Sequence, residues 1–184
     1  MMADWESDRD RVVTVAGLIA PEAPGIAVAV REAADRDHAD RDEDHDCKWH
    51  LAQAQAELVG GVGDAGLLGW FYYQDDYKDV REVLRAVPTF PQDLSWDWYE
   101  PFLAERAPYE HDTFGAIERF LELIGERCFE IGTTVAALEN VTDNYALVFV
   151  PADRAEALTA LGSDVVRVVR LGCWTGLHSD PQPH

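Results

Sequence analysis

The chain carries 35 acidic and 15 basic side chains over 184 residues, a formal net charge of −20. The excess is spread along the length, with 13, 12 and 10 acidic residues in segments 1–50, 51–112 and 113–184, so it belongs to a surface rather than a tail. It repels phosphate backbones and attracts basic partners. At 47% hydrophobic residues, with six Trp, six Tyr and seven Phe, the chain can build a core, which excludes a disordered polyelectrolyte.

From the N-terminus, Ser7-Asp8-Arg9-Asp10 reads as a capping box. Val12, Val15, Ala16 and Ile19 then recur at helical spacing until Pro21. Ile26, Val28 and Val30 alternate like a strand, while Ile26, Val30, Ala33 and Ala34 fit a helix; the Ala and Glu residues that follow favour the helix. Residues 35–46 hold one apolar side chain, Ala39, and are expected to form a mobile acidic loop or a frayed helix end. A helix follows, with Asp46 as its N-cap, Trp49, Ala52, Ala56 and Val59 on one face, and Gly60-Gly61 as its stop.

Leu67–Tyr73 predicts a strand. Asp76 caps a helix whose Val80, Val83, Leu84 and Val87 share a face, and Pro88 ends it. Residues 88–112 interleave Pro88, Pro91, Pro101 and Pro108 with six aromatic residues. Prolines this dense break regular structure, so an irregular, partly 3₁₀ cover is expected there.

The C-terminal third predicts a helix on Phe114, Ile117, Leu121, Ile124 and Cys128, then a strand within Phe129–Leu138 and a turn at Glu139–Asp143. A second strand at Tyr145–Val150 precedes a helix from Pro151 to Leu161, C-capped by Gly162. A last strand spans Val165–Leu171. The first two of these strands are expected to form a hairpin, and the last two to run parallel through a right-handed crossover. The fold class is α+β: a small sheet carrying this helix-strand-turn-strand-helix-strand unit, covered by the N-terminal helices. Residues 1–175 are read as one domain and 176–184 as a disordered tail.

Few motifs carry chemistry. Gly61-Val62-Gly63-Asp64-Ala65-Gly66 matches G-x-G-x-x-G, but a dinucleotide site needs a strand before the glycines and a helix after them; here a helix precedes, so a helix C-cap and turn is the better reading. The acidic run from Asp40 lacks the Gly and Glu of a calcium loop, having His45 and Leu51 in those places. His45, Cys47 and His50 are too few for a structural zinc site, and no second cluster joins them. Gly172-Cys173-Trp174-Thr175-Gly176, with His178 nearby, is the nearest approach to a nucleophile in a tight turn, and a small buried Cys is the simpler reading. No catalytic residue, metal or cofactor is therefore assigned. Three scattered cysteines fit a reducing compartment. No leader peptide or bilayer-spanning run is visible at this level, so a cytoplasmic protein off the membrane is expected.

The most site-like stretch is Trp96-Asp97-Trp98-Tyr99-Glu100. Aromatic faces beside carboxylates hold cations or basic side chains; the competing reading is that the rings fill the core beneath an irregular loop.

Two stretches resemble a bacterial family known as domain of unknown function six-six-three-zero: Leu67-Leu68-Gly69-Trp70 through Asp76-Tyr77-Lys78-Asp79-Val80, and Thr142-Asp143-Asn144-Tyr145 through Val150-Pro151. The likeness spans roughly residues 50–170 and implies a compact acidic α+β protein with no established activity, cofactor or catalytic residue. More loosely, the chain resembles immunity proteins that neutralise basic toxins. The expected function is a non-enzymatic protein-binding module of immunity or inhibitor type that engages a basic partner and does not bind nucleic acid directly. The alternatives are a mimic of DNA charge, or a small-ligand binder or enzyme with a pocket near residues 88–112.

Overall fold

The computed structural model describes residues 5–39, 51–72, 75–106, 113–139 and 144–174. Helices α1 (Trp5–Ile19), α2 (Pro24–Ala39) and α3 (Ala52–Asp64) lead into strand β1 (Leu68–Tyr72). Helices α4 (Tyr77–Ala86), α5 (Tyr99–Arg106) and α6 (Thr113–Glu130) follow. The remainder is β2 (Thr133–Leu138), β3 (Asn144–Pro151), a 3₁₀ turn (Ala152–Arg154), α7 (Ala155–Ala160) and β4 (Val166–Val168). The strands form one antiparallel sheet in the order β1-β3-β2-β4. The class is α+β, as expected.

Helices cover both faces of this sheet. Ala136, Leu138, Ala146, Val148 and Val150 point to α1, α2, α3 and α7. Val135, Ala137, Leu147 and Phe149 point the other way, to α4, α5 and α6. Burial on both sides explains why β2 and β3 read as continuous apolar runs rather than alternating ones. The edge strand β1 does alternate. Phe71 is buried, while Trp70 and Tyr72 are 36% and 55% exposed.

The predicted hairpin is β2–β3, paired from Thr133↔Pro151 to Ala137↔Leu147. Strands β3 and β4 run parallel, both being antiparallel to β2, but they do not pair, because β2 lies between them. Four local expectations are corrected. Helix α1 begins at Trp5, so Ser7–Asp10 lie within its first turns rather than at its cap. Residues 35–39, expected as the start of an acidic loop or as a helix end, are the end of α2, which removes the loop alternative there; residues 40–50 lie outside the described ones. Helix α3 buries Ala54, Leu58 and Val62 rather than the face of Ala52 and Ala56. It also runs through Gly60-Gly61, because the missing Cβ of Gly61 lets α2 approach: a methyl there would sit 3.2 Å from Ile26 Cγ2.

Helix α3 closes just before the third glycine of the G-x-G-x-x-G pattern. Gly66 has φ +71, its N–H donates to Gly63 O at 2.8 Å, and the Leu67 N–H donates to Val62 O at 3.1 Å. This is a Schellman cap, so the glycines close a helix. The 88–112 segment is more regular than expected, since α5 lies within it. Pro101 is tolerated because it falls in the first helical turn, where its missing N–H has no intrahelical partner. Gly162 follows α7 at φ +94, as its C-cap role predicts. No helix among the described residues is long and apolar enough to cross a membrane.

Candidate functional site

Residues 91–99 wind from the end of α4 into α5 through hydrogen bonds local to Ser95. Its hydroxyl accepts from the Asp97 N–H at 3.3 Å, and its carbonyl accepts from Trp98 Nε1–H at 3.0 Å. The turn divides the five candidate residues by exposure. Tyr99 is buried, Trp96 and Trp98 are half-buried, and Asp97 and Glu100 are exposed.

The rings form a continuous network. Trp96 stacks on Trp98 at 5.5 Å between centroids and meets Tyr99 edge-on at 5.9 Å. Phe120 of α6 takes contacts from Trp98, Tyr99 and Phe102 at 5.8, 6.0 and 5.7 Å. The cation expected on these faces comes from the chain itself. The Arg81 guanidinium of α4 lies 4.8 Å from the Tyr99 centroid and 5.6 Å from that of Trp96. Burial holds the Tyr99 hydroxyl above the ordinary phenol range, with Arg81 opposing it. Tyr99 thus belongs to the packed interior, Trp96 and Trp98 are half-buried against it, and Asp97 and Glu100 face outward.

Trp98 also lines a groove of about 380 Å³ with Leu94, Ser95, Asp97, Arg127, Glu130 and Ile131. Leu94, Trp98 and Ile131, the last 43% exposed, give the groove an apolar component. Arg127 Nη1 donates to both carboxylate oxygens of Glu130 at 2.9 Å, which engages the basic residue of the lining. The segment that carries Trp98, residues 75–106, holds eight acidic and four basic side chains, of which Arg81 is committed to Tyr99. The groove is therefore an aromatic and aliphatic surface whose Trp98 side belongs to an acidic segment. Sequence reasoning found its Trp98 side and missed the α6 side. Ile131 had been placed in a run of β-formers, whereas it sits in the turn after α6.

The other sequence candidates separate clearly. His45, Cys47, His50, the Asp40–Asp46 run and His178 lie outside the described residues. Cys173 is half-buried and its N–H donates to Arg170 O at 3.0 Å. Burial pushes its thiol up to about 11 and that of Cys128 up to about 12. That is opposite to the lowered value of an activated nucleophile. Alkylation of the native chain by iodoacetamide at pH 7.5, read by peptide mass spectrometry, is expected to modify Cys173 and Cys128 at least ~10-fold more slowly than in the unfolded chain. Faster labelling of native Cys173 would mark it as activated.

Residues 11–172 match a family model described as Domain of unknown function (DUF6630), in keeping with the likeness carried by Leu67–Val80 and Thr142–Pro151. No curated protein and no solved structure is significantly similar to the chain.

Proposed function

The chain belongs to the DUF6630 family, whose description assigns no activity, and from that premise we propose that it is a non-enzymatic, cytoplasmic protein-binding module of immunity or inhibitor type whose partner is basic. The observation that carries this reading is the groove at Trp98, where apolar side chains that suit an interface anchor lie within an acidic stretch. Interface cores favour aromatic anchors, and rims of one charge set the sign of the partner. The net charge of −20 would steer such a partner from a distance and make its association rate depend on salt.

A basic protein is expected to be retained from source lysate by the immobilised chain at low salt, with its association slowing about tenfold or more as salt rises. Trp98→Ala is expected to weaken that complex by about 30-fold, the scale of an interface hot spot. Asp97→Asn with Glu100→Gln is expected to lower mainly the association rate, whereas Glu156→Gln on α7 leaves both unchanged. Recovery of no basic protein at either salt, or undiminished binding by the Trp98 variant, would sink the proposal. A small-ligand reading draws on the same 380 Å³ groove. It requires the Trp98 variant to lose a low-molecular-weight ligand rather than a protein.

A further inference from the structure

A second cavity, of about 110 Å³, opens where β2 ends and β3 begins. Its lining includes Ala137, Glu139, Asn144, Tyr145, Arg167 and Trp174, none of which borders the Trp98 groove. The sheet register explains the convergence. Ala137 of β2 is paired with Arg167 of β4 and with Leu147 of β3, so Arg167 shares a face with Tyr145. Trp174 closes over this face in the turn that follows β4, and the Arg167 guanidinium lies 4.5 Å from its ring centroid.

Trp174 is only 8% exposed, and among the described residues its indole N–H has no hydrogen-bond acceptor. A buried donor left unpaired costs roughly 1–3 kcal/mol, so a site that keeps one is poised to receive an acceptor. Arg167 supplies further N–H donors next to it. The opposite polarity is present as well. Glu139 brings a carboxyl, and Tyr145 donates to Glu118 Oε1 at 3.5 Å. Glu118 and Glu122 of α6 are both buried, and Glu122 accepts from the Trp174 backbone N–H at 3.3 Å. Glu139 is exposed at the cavity's edge; partial desolvation against the wall raises its carboxyl above the ordinary carboxylate range while Arg167 pulls it down.

A cavity of this size holds several times the volume one water needs. Its lining donors include Arg167 and the Trp174 N–H, and its lining carboxylate is Glu139. A free anion would meet the repulsion of a chain charged −20, and a free cation would leave the Trp174 N–H unsatisfied. A small zwitterion meets both requirements and brings no net charge. We propose that this cavity binds a small α-amino acid, its carboxylate received by Arg167 and the Trp174 N–H and its ammonium facing Glu139. The site uses none of the groove residues and stands independently of the basic partner.

Thermal unfolding of the full chain with glycine, alanine or serine, beside acetate, methylammonium and inorganic phosphate as separate probes, tests this. At saturation a small amino acid is expected to raise Tm by about 5 °C, with no comparable shift from the half-ligands acetate and methylammonium or from phosphate. Arg167→Gln is expected to abolish the shift, measured against its own baseline. Trp174→Phe, which removes the N–H and keeps a ring, is expected to reduce it by half or more. Should the Trp174 variant fail to fold, Arg167→Gln carries the test. Absence of any shift, an equal shift with acetate or phosphate, or a shift retained in Arg167→Gln would each overturn the proposal.

Discussion

Gly125→Ala is expected to destabilise the protein by about 3 kcal/mol or more, although the same change in an exposed helix stabilises by roughly 0.5–1 kcal/mol. Gly125 lies on the inner side of α6, against the chain leaving β4. A methyl at this position would overlap the Val169 carbonyl oxygen and lie 2.6 Å from its carbon. The obstacle is backbone and cannot rotate aside. It is also tethered, since the Val169 N–H donates to Val135 O at 2.9 Å and Val169 is fully buried. Relief requires α6 to lift away from β2 and β4, which opens the core that Ile117, Leu121 and Ile124 fill. The midpoint of urea unfolding, followed by far-UV circular dichroism, measures the effect. A neutral or stabilised Gly125→Ala variant would mean that α6 does not approach Val169 this closely.

Phe120→Ala is expected to cost about 3–5 kcal/mol, the range for deleting a fully buried aromatic ring. Phe120 has no solvent exposure and contacts the rings of Trp98, Tyr99 and Phe102 together. Its removal leaves α5 without the surface on which it rests. Two signals are expected together: a lowered unfolding midpoint and a loss of near-ultraviolet dichroism from the tryptophans at 96 and 98. Phe120→Leu keeps most of the volume and is expected to cost about 1.5 kcal/mol or less. Equal losses for the two substitutions would indicate that the aromatic contacts, rather than the filled space, hold α5 in place.

Much of this fold was legible where one physical requirement dominated. The apolar period of α4 is unambiguous because its outer face is almost wholly charged. The β2 and β3 runs are continuous because helices cover both faces of the sheet, and Gly162 marks the end of α7 as its backbone requires. What failed were choices between near-equal alternatives. In α3, Ala52, Ala54 and Ala56 offer two faces of similar hydropathy, and only the packing of Leu58 and Val62 selects one. Gly60-Gly61 reads as a stop, but it serves a close helix contact that is invisible without the partner, Ile26. The expected parallel run of β3 and β4 holds, but the sequence leaves open which strand β4 pairs with, because that long-range choice leaves the strands equally apolar.

The candidate site was legible in part for the same reason. The Trp96–Glu100 stretch announces itself by composition. That Arg81 occupies two of its rings, and that Ile131 shares a groove with the third, depends on residues 15, 18 and 33 positions apart. The Gly172–Gly176 turn drew notice for its cysteine. The structure gives more weight to its neighbour Trp174, whose unpaired N–H has no sequence signature.

Hydrogen exchange of the full chain, alone and saturated with the basic protein it retains at low salt, tests the central reading most directly. Slowed exchange concentrated in residues 94–98 and 127–131, and released as salt rises, is the predicted result. Protection spread evenly, or confined to segments away from both sides of the Trp98 groove, would contradict it.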